Sequence, residues 1–84
     1  MDWTSRESIR RDLAGRHPAV IEVAQWFANG HLQGPPRDYS NSTAAVADYM
    51  ISALPDSPEL TSGLRKLLEA KDCFVRAAIA VSDG

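Results

Sequence analysis

The sequence predicts an all-α protein in which short N-terminal helices precede an antiparallel helical hairpin over residues 42–82, the whole assembled as a homo-oligomer. Three observations carry this. Apolar residues recur at helical spacing in every long segment, and no alternating run bounded by tight turns marks a strand. Prolines stand where helices start, at Pro18 and Pro58, while Gly15, Gly30 and Pro55 stand where they stop. Finally, Leu60, Leu64, Leu67, Leu68, Phe74, Val75 and Ala78 project within about 60° of one direction on a helix, with Lys71 at the centre of that arc.

Each element follows in order. Thr4 and Glu7 have capping-box spacing, and Ile9 with Leu13 gives a short first helix a thin apolar face before Gly15. Pro18 opens a second helix that runs toward Gly30 with Val20, Ala24 and Phe27 on one side. The segment HLQGPPRDYSNST, with Gly34, Pro35 and Pro36 together, reads as an irregular connection, and Ser40, Asn41 or Ser42 can cap a third helix from about Ser42 to Leu54. Its inner side is expected to hold Val46, Met50, Ala53 and Leu54. A turn at Pro55 and Asp56, with Ser57 as cap and Glu59 in the first turn, starts a fourth helix reaching about Ser82.

At 84 residues the chain is one domain, 1–84, with a small core. The lone Cys73 excludes an internal disulfide or a multi-cysteine zinc site, which leaves self-association as the expected reinforcement and fits a reducing cytosol. A fourth helix of about 37 Å exceeds the roughly 30 Å diameter of a compact domain, so part of it should project and bury its apolar residues against another copy. No segment has the apolar length of a membrane span, and the N-terminus has no apolar stretch of signal-peptide type, so a cytoplasmic protein is expected. A formal charge of −2 argues against duplex nucleic acid as a partner, although four arginines among the first 16 residues leave room for a local cationic pocket.

Lys71 can be read in two ways. In one its methylenes cover the apolar seam while the ammonium reaches water or a carboxylate; in the other the charge points into a pocket at the hairpin or subunit seam, where an anionic ligand supplies the partner. Arg65, Glu69, Asp72 and Arg76 share another arc, either as a solvated ladder of i to i+4 pairs or as an arginine pair aimed at phosphate oxygens. Trp26, Phe27 and His31 end the second helix beside the proline-rich loop, an arrangement suited to stacking a base and offering a ring nitrogen. Tyr39 and Tyr49 read as packing or rim residues, and Cys73 as a surface or interface thiol. His17 and His31, 14 residues apart, match no metal spacing, and two histidines without a glycine-rich phosphate loop predict neither catalysis nor a cofactor.

The stretch LPDSPELTSGLRKLLEAKDCFVRAAIAV resembles the helical-hairpin domain of small phage proteins that sequester nucleotide messengers of bacterial immunity, the anti-CBASS and related anti-Thoeris sponges. Leu54 and Pro55, a short acidic turn, then Leu64, Lys66, Leu67, Glu69, Ala70, Ala77, Ala78 and Ile79 carry the resemblance, and His31, Leu32, Arg37 and Ser40 look like the preceding loop. It covers roughly residues 30 to 81. At Arg76 this chain departs from an amide in the anti-Thoeris pattern.

The resemblance implies an all-helical homo-oligomer in the infected host cytoplasm, typically a hexamer in the anti-CBASS branch. Such a protein holds a cyclic di- or trinucleotide, or an ADP-ribose-derived ring, between subunits without cleaving it. On that basis Lys71, Arg65, Arg76 and Arg37 are expected to face phosphates, with Asp72 beside them and Trp26 or His31 near a base. Two other readings stand beside this one. One is a helical oligomerisation or protein-binding module without nucleotide; the other is a DNA-binding regulator using the basic first helix.

Overall fold

A computed structural model describes residues 1–83. Four helices account for most of it: α1 (Arg6–Asp12), α2 (Pro18–Ala24), α3 (Pro35–Ala53) and α4 (Pro58–Asp83), with a 3-10 turn over Gln25–Phe27 extending α2. Among the described residues there is no strand, and no helix is long and apolar enough to cross a membrane.

The helix ends differ from the sequence expectation in instructive places. The cap of α1 is Ser5, not Thr4: the Ser5 hydroxyl accepts the Ser8 amide while the Ser8 hydroxyl accepts the Ser5 amide. Thr4 is engaged elsewhere, because its hydroxyl and amide both donate to the Asp2 carboxylate. Helix α2 opens at Pro18 as predicted, with His17 Nδ1 accepting the Ala19 amide at 3.0 Å.

The third helix begins seven residues earlier than the serine caps implied, at Pro35 rather than Ser42. Gly34 turns the chain at φ 65°, a value that favours glycine, and the two prolines then occupy the first helical turn, where a missing N–H costs nothing. Ser42 and Thr43, inside the helix, return their hydroxyls to the carbonyls of Asp38 and Ser40.

The inner face of α3 is also rotated from the expected one. Ser40, Thr43, Ala44, Ala47 and Ile51 are buried, whereas Val46, Met50 and Leu54 are exposed at 43, 39 and 46%. Small residues on the inner face allow close approach of the neighbouring backbones, and the larger side chains are left outside. Ile9, Leu13, Val20, Val23, Phe27, Ile51, Leu60 and Leu64 form the core, with Trp3 edge-on to Phe27 at 6.1 Å between ring centres and its indole N–H donated to Asp48.

Helices α3 and α4 pack against each other along their lengths, α2 packs on α4, and α1 packs on α2 and the 3-10 turn. Pro35 and Tyr39 lie beside Ala77 and Val81, so the early start of α3 accompanies α4 almost to its end. Phe74 departs from the expected buried stripe and is 56% exposed. The molecule measures 42 × 23 × 17 Å, its long axis close to the roughly 39 Å of a 26-residue helix.

Two ties hold the layers together. The amides of Asn29 and Gly30 donate to the carbonyls of Trp3 and Thr4, both at 2.9 Å, and a side chain at Gly30 would collide with the Thr4 carbonyl oxygen. At the other end Arg16 donates to Asp56 and to the carbonyls of Ile51 and Leu54, at 2.7, 2.6 and 3.0 Å. The His17 amide, together with Arg16, holds the Asp56 carboxyl below the usual carboxylate range.

Candidate functional site

The structure answers the question of Lys71 by giving it partners. Its side chain crosses from α4 to the end of the 3-10 turn, where Nζ donates to the Trp26 carbonyl at 3.1 Å and to Asp72 at 3.0 Å. The residue is only 8% exposed. A carbonyl at a helix end carries partial negative charge, so an ammonium there gains both a hydrogen bond and the dipole interaction. The cation therefore has no missing charge partner within the protomer, and Asp72 is drawn toward it in place of the expected pairing with Arg76.

Around this bridge lies a pocket of about 730 Å³. Thr4, Ser5 and Arg6 line one side of it, Gln25, Trp26, Ala28 and His31 a second, and Arg65, Leu68, Lys71 and Asp72 the α4 side. The α4 contribution follows from spacing, because positions i, i+3, i+6 and i+7 share one face of a helix. Stitching of Trp3 and Thr4 to Asn29 and Gly30 brings the N-terminal segment to the same place.

The pocket thus joins five of the seven sequence-predicted residues: Lys71, Arg65, Asp72, Trp26 and His31. Arg76 lies away from it, exposed on α4 and donating to the Cys73 sulfur at 3.4 Å. Arg37 sits in the first turn of α3 and is not among the lining residues. Neither the Arg65–Glu69 nor the Asp72–Arg76 pair forms an ion pair among the described residues.

Arg6 was not singled out by sequence reasoning, although it belongs to the basic N-terminal cluster. Its guanidinium lies 4.8 Å from the centre of the Trp26 ring, a cation–π contact that holds an indole which is 47% exposed. Gln25, at the pocket wall, is fixed by Arg10, which donates to its side-chain oxygen, and by its own amide donated to Glu22.

Three cations, Arg6, Arg65 and Lys71, therefore face one carboxylate, Asp72, in a chain whose overall charge is −2. The indole supplies a flat apolar wall and His31 an imidazole with no hydrogen bond to the rest of the described chain. The arrangement offers guanidinium donors of the kind that suit anionic oxygens beside a partly open aromatic surface. Among the described residues, no three His, Cys, Asp or Glu side chains converge as a metal cluster would require. Compared with known proteins, the chain matches no family model, no curated protein and no solved structure.

Proposed function

We propose that the protein binds and sequesters a cyclic oligonucleotide immune messenger, a cyclic di- or trinucleotide of the host CBASS response, as a non-catalytic homo-oligomer in the cytoplasm of an infected cell. The observation that carries the binding half of this reading is the cationic pocket walled by Trp26, into which α4 brings Arg65 and the N-terminal segment brings Arg6. The messenger class comes from the resemblance of residues 30 to 81 to the helical-hairpin sponges, which also supplies the hexamer as the expected assembly.

In this reading Arg65 and Arg6 meet phosphate oxygens and Trp26 stacks a base. Lys71 contributes chiefly by fixing the pocket wall, since two of its three donors are already engaged. Sequestration requires affinity and slow release, and nothing need be turned over.

Calorimetric titration with cyclic di- and trinucleotides tests the proposal. At least one should bind, and Arg65→Ala or Trp26→Ala should weaken it roughly tenfold, the equivalent of about 1.4 kcal/mol for a lost phosphate contact or stacked base. Absence of heat with every cyclic nucleotide, together with no nucleotide released from denatured protein, would refute it. That outcome favours the alternative, a helical oligomerisation or protein-binding module without nucleotide, for which the apolar groove between α3 and α4 is the relevant surface.

A further inference from the structure

The side of the α3–α4 pair left uncovered by α1 and α2 carries a groove of about 560 Å³ near the connecting turn. Val46, Met50 and Leu54 form one wall and Leu60, Gly63 and Leu67 the other. The first wall is a ridge of residues four apart, all substantially exposed, on a helix whose opposite face already supplies the core. These side chains leave apolar surface open to a partner on this face.

Two features of α4 say what covers it. Gly63 stands in the second turn of α4, past the capping positions, where glycine is unfavourable relative to alanine, yet a Cβ there would meet nothing within the protomer. The protomer's own packing gives no reason for a glycine; close approach of another helix from outside does. Flanking Gly63 are Glu59, four residues before it, and Lys66, three residues after it, both exposed and neither in an ion pair among the described residues. Seven residues apart, they are about 10 Å from each other along the axis and do not pair within one helix.

We infer that a second copy of this chain covers the groove in a two-fold contact whose axis passes between Ser62 and Gly63. A two-fold axis there sets α4 antiparallel to its counterpart, and Glu59 of each copy falls opposite Lys66 of the other, forming the same pair twice. Self-complementarity of this kind is the condition for an isologous contact, and an unrelated partner would not require it. Met50, which lines the same groove as Gly63, is then available to pack against the partner's glycine. The contact specifies a face for the proposed homo-oligomer and lies on the other side of α4 from Arg65 and Asp72, so it is tested without reference to any nucleotide.

Sedimentation velocity of the full chain, with far-UV circular dichroism as a check on folding, gives the test. The wild type should run as a dimer or a larger even-numbered assembly. Glu59→Lys and Lys66→Glu should each weaken association roughly tenfold by setting like charges opposite one another at two places, and the double swap should restore it. Gly63→Gln, whose Cβ meets no atom of the protomer within 4 Å, should fold and yet separate the copies. A monomeric wild type at about 100 μM, where any self-association with a Kd tighter than that concentration would show, would overturn the inference, as would an assembly that ignores both single swaps and folded Gly63→Gln.

Discussion

Arg16 ties three groups together, reaching Asp56 and the carbonyls of Ile51 and Leu54 from the corner before α2. Those carbonyls belong to the last turn of α3, which lacks intrahelical donors. Arg16→Ala should therefore destabilise the fold by about 1–3 kcal/mol, read from the midpoint of urea unfolding. Asp56 links the same corner to pH. Its folded-state pKa is depressed, chiefly by the His17 amide, so its contribution is present above the unfolded value near 3.9 and is lost as pH falls through the lower folded value. Asp2 and Asp12 are lowered for the same reason, by Thr4 and by the Asp2 amide respectively. The melting temperature should stay level from neutral pH to about pH 4–5 and fall below that, with a shallower acid limb in Asp56→Asn. Gly30 is the third sensitive residue: Gly30→Ala must push the N-terminal segment off Asn29 and should lower stability by about 1–3 kcal/mol in the same assay.

At the level of elements, the bridge from Lys71 to Trp26 explains how α4 fixes the end of α2. Lys71→Met keeps most of the apolar stem but removes the donor to the Trp26 carbonyl, so a loss of about 1 kcal/mol is expected, with greater solvent quenching of Trp26 fluorescence. The lysine was legible as an anomaly from its place in the stripe, but its partner was not, because a backbone carbonyl 45 residues away leaves no mark in a helical projection. The α3 face was misread for a related reason. Weighting large apolar side chains picks out Val46, Met50 and Leu54, whereas the buried face is built from Ala44, Ala47 and polar Ser40 and Thr43, whose smallness matters more than their hydropathy. The Gly34–Pro35–Pro36 run looked like a loop, yet the same residues start a helix once glycine turns the chain and proline needs no donor.

Over the whole molecule, the sequence pattern indicated helices throughout, and the described chain consists of helices joined by short connections. The pocket was only partly visible in advance. Its α4 residues follow from spacing, but Arg6 reaches them through the pairing of Trp3 and Thr4 with Asn29 and Gly30, a tertiary contact with no periodic signature. Ordering along the chain places the basic segment at one end of the sequence and the long helix at the other, and only folding makes them neighbours. The two indoles occupy different environments: Trp3, partly buried, lies edge-on to Phe27 and is bonded to Asp48, while Trp26 is half open beneath Arg6. The chain thereby carries two native optical probes: Trp3 should emit further to the blue and report whether the layers are closed, and Trp26 should be open to iodide and report whether anything rests on the outer ring. Phenylalanine replacement of either leaves the other as a single-tryptophan sensor, so folding and occupancy can be followed separately without attaching a dye.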